Sequence, residues 1–507
     1  MKRDGANRSL WQNLPEYIIR TTAIEEKNYD VIIVGGGITG ITTALLLQNS
    51  GKKCLIAEAK NIGFGTTSGT TAHLNTILDL TYAEIEKKFG KENTKVVLSA
   101  VLQAINIAES NIGKYNIDCD FSEHAGYLFS TDDEQSKKLD EAFEASQNAG
   151  CDVEYSDTIP VPVDFKKALV FKRQAQIHPT KYLYGLAKAF ENAGGRILEQ
   201  CRVTDAKEID DKMIEVETSR GKFTAANLIY ATHTPPGVNL LHFRCAPYRS
   251  YAMALTLKDK NYPVDLAYDL YDPYHYYRSQ EIDGKTFLIA GGEDHRTAEK
   301  KDTEQCFVFL ENYLRKHFEV DEVLYKWSSQ YFEPADGLPY IGHLPGNPKN
   351  VFVATGYGGN GITYSQIASQ ILCDLIVKGK SEYEDIFNPL RIKPVAGFEN
   401  FIENAADVTV NFIEKLLPVK KLNDLRLLKN GEAKLVKYEG QSIAVYKDEN
   451  GKIYAVNPSC THINCAVAWN TSEKIWECPC HGSRFNEEGE MYTAPARKDL
   501  QKINFEH

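Results

Sequence analysis

The 507-residue sequence has no run of roughly 18 apolar residues, the length a helix needs to cross a bilayer, so no integral membrane segment is expected. It also lacks a basic excess, with a formal charge of −11. Nucleic-acid binding needs clustered Lys and Arg, and electrostatic docking on anionic lipid needs the same, so neither partner is expected. Residues 1–30 carry charges throughout and no apolar core, which disfavours a secretory leader and makes the expected compartment cytoplasmic. Internal repeats and low-complexity tracts are missing too. What is present is an ordinary globular balance, 43% hydrophobic and 25% charged, in a chain too long for one hydrophobic core.

Cysteine is used unevenly. Of the 11 cysteines, Cys54, Cys119, Cys151, Cys201, Cys245, Cys306 and Cys373 are widely spaced and read as reduced core thiols. Cys460, Cys465, Cys478 and Cys480 are clustered, and that clustering calls for a chemical explanation. Their segments read CTHINC and CPCHGS, giving C-x-H and C-x-x-H separated by residues 463–477. Two short loops that each offer a thiolate and an imidazole suit an asymmetric [2Fe–2S] centre, with sulfur on one iron and nitrogen on the other. A Cys₂His₂ zinc site uses the same donors, but the C-x-H spacing is unlike its usual C-x₂₋₄-C pair.

These boxes resemble the Rieske domain family, especially the form seen in cytochrome bc complexes, over about residues 423–507. The resemblance implies an all-β domain with Cys460, His462, Cys478 and His481 as cluster ligands, and a Cys465–Cys480 disulfide clamping the loops. It also implies that the Ser483 hydroxyl donates to a cluster sulfur, and that Thr493–Ala496 covers the cluster. Phe485 stands where high-potential members often have tyrosine; losing an O–H donor lowers the potential. The histidine edge is expected to lie nearest solvent and to be where electrons enter or leave.

The first part of the chain carries a different signature. Tyr29–Val34 is a continuous apolar strand; Gly35-Gly36-Gly37-Ile38-Thr39-Gly40 follows, then a helical run and a second strand, Cys54–Ala57, ending at Glu58. In this G-x-G-x-x-G fingerprint Gly35 makes the turn, Gly37 lets the backbone approach a pyrophosphate, and Gly40 allows close helix–strand packing. Glu58 is placed to accept from ribose hydroxyls. Thr66, Thr67 and Thr71 add hydroxyls to a small-residue stretch, and Leu228–Ala231 is another buried strand ending at Thr232. Later come DGLPYIG and TGYGGNG, the second supplying Gly356, Gly358, Gly359, Asn360 and Gly361.

Together these segments resemble the D-amino-acid oxidase superfamily, which includes glycine and sarcosine oxidases, over about residues 29–391. The resemblance implies an α/β Rossmann-like FAD-binding domain with an antiparallel-sheet substrate domain, non-covalent FAD, and Val203 near the adenine. It also implies that Tyr274–Arg278 crosses one face of the flavin. Arg249, His275, Tyr277 and Arg278 are the candidate catalytic residues, the arginines as holders of a substrate carboxylate.

The expected layout is an N-terminal extension (1–28), FAD-binding segments 29–115, 174–240 and 330–391, and a substrate subdomain built from 116–173 and 241–329. A connector (392–422), helical in its apolar spacing, joins these to the Rieske domain (423–507). The expected function is oxidation of an amine or amino acid at its C–N bond, with electrons passed singly through the cluster to or from an unidentified partner. An NAD(P)H-driven reductase is the alternative, although only one nucleotide-binding β-α-β unit is visible. An electron carrier without its own substrate is another. A Rieske oxygenase does not fit, because too few residues follow His481 for its mononuclear-iron domain.

Overall fold

The structure is a computed structural model that describes residues 3–20, 26–210, 212–391, 417–418, 428–438 and 441–503. Most of the expected helical connector, 392–422, lies outside them. Its described piece, Leu417–Pro418, is a short strand beside Ala433–Tyr438.

Asn28–Val34 forms the expected strand because its apolar run is buried on both faces, as a central parallel strand requires. It pairs in parallel with Cys54–Ala57 on one side and Gly221–Tyr230 on the other. Val351–Thr355 continues the parallel order beyond Gly221–Tyr230, and Arg196–Leu198 lies outside Cys54–Ala57. The helix Ile38–Asn49 leaves the glycine turn and is buried on most of its surface, since the sheet lies below it and the helix Gly361–Lys378 beside it. The Thr43 hydroxyl meets Ser369 across that helix contact at 3.1 Å.

A second, nine-stranded sheet carries the substrate side. Its order runs Val320–Pro334, Cys245–Leu257, Lys285–Arg296, Tyr276–Ile282, Leu266–Asp269, Ser122–Ser130, Lys167–Gln176 and His73–Leu74, with Val153–Ser156 also pairing with Lys167–Gln176. The C-terminal domain is two four-stranded sheets.

The helix Lys91–Tyr115 is long and apolar enough by length and composition to cross a membrane. Here its Val97, Val101, Ala104, Ile105 and Ala108 are buried in the main core.

Residues 3–13 thread between the two halves of the protein. Asp4 N–H donates to Phe64 O at 3.1 Å, Ala6 N–H to Glu473 O at 3.0 Å, and the Trp11 indole to Thr70 O at 2.6 Å. The N-terminal segment therefore ties the dinucleotide fold to the C-terminal domain.

Candidate functional site

A cavity of about 520 Å³ opens where the parallel strands end, the position at which open α/β sheets bind ligands. Gly35–Gly37, Glu58, Thr66, Thr67, Thr71, Val203, Thr232 and Gly358–Gly361 all line it. The glycines fit a dinucleotide by exclusion. A Cβ on Gly40 would sit 2.0 Å from Gly35 O, so Gly40 lies behind the turn and lets the helix close on the strand. Gly35 has φ +111°, and a Cβ there would meet Ala231 O at 2.5 Å.

Glu58 lines the cavity with its oxygens already accepting from Gly36 N–H and Lys60 N–H, each at 2.7 Å; burial raises its carboxyl. Gly356 is a correction: it does not line the cavity. Its φ is +76°, and a Cβ would press on Cys245 Sγ and Pro334, so it is a turn glycine.

The four candidate catalytic residues are also corrected, because none lines the cavity. Arg249 is fully buried, ion-paired with Glu477 and donating to Ser328 Oγ at 2.9 Å. Arg278 donates to Thr71 O at 2.8 Å, Ala72 O at 3.1 Å and Ile177 O at 3.2 Å, and also to Gln280. His275 pairs with Asp269 at 2.8 Å and stacks on Tyr313 with ring centroids 3.8 Å apart. The Tyr277 hydroxyl donates to that of Tyr313 at 2.9 Å. For the two ring residues strand alternation is the reason: 275 and 277 turn toward the helix Glu304–His317, while 274 and 276 face the cavity; Arg278 shares the side of 274 and 276 but is held by the carbonyls of Thr71, Ala72 and Ile177.

Residues outside the expected catalytic set take the substrate side. Asn75, Asp79, Ser250, Tyr268, Tyr274, Tyr276 and Tyr331 line it. Asp79 opens onto the cavity and accepts from Gly359 N–H at 2.5 Å; enclosure away from bulk water raises its carboxyl to about 6. Tyr331 and Ser250 hold Asp294 at 2.9 and 2.5 Å, and burial raises that carboxyl to about 7. Tyr274 and Tyr276 belong to the segment expected to cross the flavin; sequence reasoning missed the others, because they sit on separate strands and loops that no local motif marks.

The second centre is built from two hydrogen-bonded turns. Cys460 N–H donates to Cys465 O at 2.8 Å and Asn464 N–H to Cys460 O at 2.9 Å; Cys478 N–H donates to Ser483 O at 2.8 Å and Gly482 N–H to Cys478 O at 3.0 Å. Cys465 and Cys480 are disulfide-bonded across the turns, while Cys460 and Cys478 are free thiols. Of the tight sulfur group Cys465, Cys478 and Cys480, only Cys478 is therefore open to a metal.

Hydrogen bonds from Cys478, then the His462 backbone and Ser483, outweigh burial and lower the Cys460 thiol. The His462 and His481 rings stand 5.0 Å apart at 90°. Burial lowers both imidazoles, and Nδ1 and Nε2 of His462 and Nδ1 of His481 are buried with no hydrogen-bond partner. Paired thiols, neutral imidazoles and orphaned ring nitrogens fit a Rieske cluster.

The histidine edge packs on the flavin-side domain, although His462 is only partly buried while Cys460 and Cys478 are fully buried. His481 is 5% exposed, packed under Phe243 at 5.3 Å, and His242 lies 4.9 Å from His462. Gly482 abuts the flavin-side domain so closely that a Cβ would meet Gln330 Nε2 and Pro247 Cβ at 2.8 Å and Phe332 at 3.0 Å. Gln330 also lines the cavity, so the two centres share a wall one strand thick. Along the same wall His233 meets Thr66 Oγ1 at 3.2 Å. Burial, and then the Arg484 charge, push its imidazole down to about 3.

Comparison with known proteins agrees with both sites. Residues 30–375 match the FAD dependent oxidoreductase family, and residues 416–504 match the Rieske [2Fe-2S] domain. Bacillus subtilis YhfW, named as a Rieske 2Fe-2S iron-sulfur protein, is 33% identical over 95% of this chain and 94% of its own length. Escherichia coli gamma-glutamylputrescine oxidoreductase is 26% identical over 74% of this chain and 90% of its own. Among solved structures, glycine oxidase from Geobacillus kaustophilus shares the fold, with a TM-score of 0.59 at 19% identity over 72% of this chain and 99% of that one. The chain thus belongs to the FAD-dependent oxidoreductase family, carries a C-terminal Rieske domain, and is an oxidoreductase that binds FAD and a [2Fe–2S] cluster.

Proposed function

We propose that the substrate is a cationic amine, oxidised at its C–N bond, and that the electrons pass singly to the Rieske cluster. The observation that carries this reading is the acidic, phenolic lining of the substrate side. Asp79 stands there with Tyr268, Tyr274, Tyr276 and Tyr331. Among the described residues the cavity's arginines are Arg202, Arg484 and Arg497, grouped around Val203 and Thr232 at the dinucleotide end. Arg249 and Arg278, the expected carboxylate holders, are committed to internal partners. A carboxylate substrate is best held by an arginine fork, whereas an ammonium is best held by a carboxylate and aromatic faces. The relative named for gamma-glutamylputrescine supports an amine.

When bound, FAD supplies a two-electron acceptor for the C–H bond beside nitrogen, and the cluster supplies a one-electron acceptor. The chain's own part is positioning. Ionised Asp79 orients the ammonium, and burial raises the four phenols so that they remain neutral donors. The test is anaerobic mixing with diamines and monoamines, amino acids, NADH and NADPH, read by flavin absorbance and by the cluster's EPR signal. Bleaching by a cationic amine, followed by the EPR signal, is expected. Bleaching by amino acids alone, or by a nicotinamide nucleotide alone, overturns the reading.

A further inference from the structure

The dinucleotide end of the cavity is not closed by the dinucleotide fold. Arg484, Tyr492, Thr493 and Arg497 of the C-terminal domain form part of its lining. Their strand and loop are fastened to the residues around the cavity. Gly237 N–H donates to Pro495 O at 2.8 Å, and Arg202 donates to Met491 O at 2.7 Å. The Tyr492 ring meets Phe64 edge-on at 5.3 Å. Arg497 pairs with Asp205 at 3.6 Å and lies flat on Gly237, where a Cβ would come within 2.6 Å of its guanidinium.

Arg484 is the second, independent observation. It is fully buried and on the cavity; its Nη1 makes no hydrogen bond, while its Nη2 is ion-paired. Its Nε donates to Thr493 Oγ1 at 3.2 Å, and its counter-charge is Asp4 at 2.5 Å. A buried guanidinium with Nη1 unpartnered, on the same cavity as the glycine turn, suits an anionic diphosphate.

We propose that the Rieske domain is part of the FAD site. Arg484 and Arg497 face the anionic stretch of the dinucleotide, so FAD retention and Rieske docking are one coupled equilibrium. Cofactor that binds only the docked form holds the domain down by the factor 1 + [FAD]/Kd, and docking tightens FAD in return. Loading the flavin thereby sets the cluster in its working place. This holds whatever the substrate is.

The experiment measures FAD affinity by fluorescence on reconstituted apoflavoprotein whose cluster EPR signal is intact. Arg497 is half-exposed, so Arg497→Gln tests the contact with little risk to folding. Its affinity is expected to fall by roughly three- to tenfold, with Arg497→Lys recovering part. Arg484→Gln is expected to lose about tenfold or more. Glu477→Gln, which breaks docking away from the cavity, is expected to weaken FAD as well. FAD loading of the wild type is expected to slow hydrogen exchange at 491–497. Wild-type affinity in both arginine variants, or in a Glu477→Gln protein whose exchange shows the domain undocked, overturns the proposal.

Discussion

Replacing Glu477 with Gln should free the Rieske domain from its seat. Six charged side chains meet at the domain boundary: Arg3, Asp4, Arg249, Glu473, Glu477 and Arg484, none more than 5% exposed. Three are positive and three negative, so the group is neutral as a whole. Burial works to raise the Asp4 carboxyl, yet the Arg484, Arg3 and Arg249 charges outweigh it and hold Asp4 below its ordinary value. Burial, aided by Arg484, pushes Arg249 down to about 10, which still leaves it charged at neutral pH. Glu477→Gln removes the counter-charge and leaves Arg249 with neutral acceptors only, Ser328 Oγ and the introduced amide oxygen, in this pair. Removing one partner of a buried pair costs about 3–5 kcal/mol, or roughly two to three and a half orders of magnitude in the docking equilibrium. Calorimetry should then resolve two transitions, and hydrogen exchange should rise on Cys245–Leu257 and at 478–485. Pairing Glu477→Leu with Arg249→Met removes both charges and should restore docking, since apolar pairs replace buried ion pairs at little cost. A single transition at the wild-type midpoint in Glu477→Gln, or a double variant as loose as the single, would refute the reasoning.

Three further outcomes follow from the same geometry. Asp79 carries a carboxyl raised to about 6, so it is neutral below that pH and ionised above it; kcat/KM for a cationic amine should rise with pH through about 6, and Asp79→Asn should flatten that limb and lower kcat/KM at pH 8 by about tenfold or more. Gly482→Ala combines a φ of +73° with a Cβ that meets Gln330, Pro247 and Phe332, so it should slow flavin-to-cluster transfer in rapid mixing while the isolated cluster spectrum stays unchanged. Cys465→Ser removes the clamp between the cluster turns but no ligand; cluster loss under chelator should speed up by a measurable factor, with initial iron content still two per chain.

The elements that read well in the sequence are those whose signal is local. Asn28–Val34 and Val351–Thr355 are apolar runs bounded by glycine turns, and the structure forms both as buried parallel strands. The charged stretch that follows Asp132 forms the helix Asp133–Ala149, capped by the Asp132 side chain. The two cluster boxes converge because each is a single tight turn. What sequence pattern does not carry is which face of a strand meets which partner. Tyr276–Ile282 alternates in both directions with large polar side chains, so the period alone left two faces open, and the packing of Glu304–His317 decides between them. Arg249 looked like a substrate residue because its true partner, Glu477, is far away in sequence and in another domain.

That distance is the lesson for the electron route. The cluster's histidine edge is covered by Leu240–Phe243, and the strand Val320–Pro334 separates it from the cavity. On the proposed route, an edge packed on its own flavin domain is the side from which electrons arrive, since proximity within one chain replaces collision between two. A separate acceptor must then meet the domain elsewhere, or meet the histidines only after docking is broken. Steady-state turnover with an external one-electron acceptor separates these cases. If Glu477→Gln speeds reduction of the acceptor while slowing flavin-to-cluster transfer, the acceptor uses the same edge. If both rates fall together, the docked arrangement serves the whole route and the exit lies on another face.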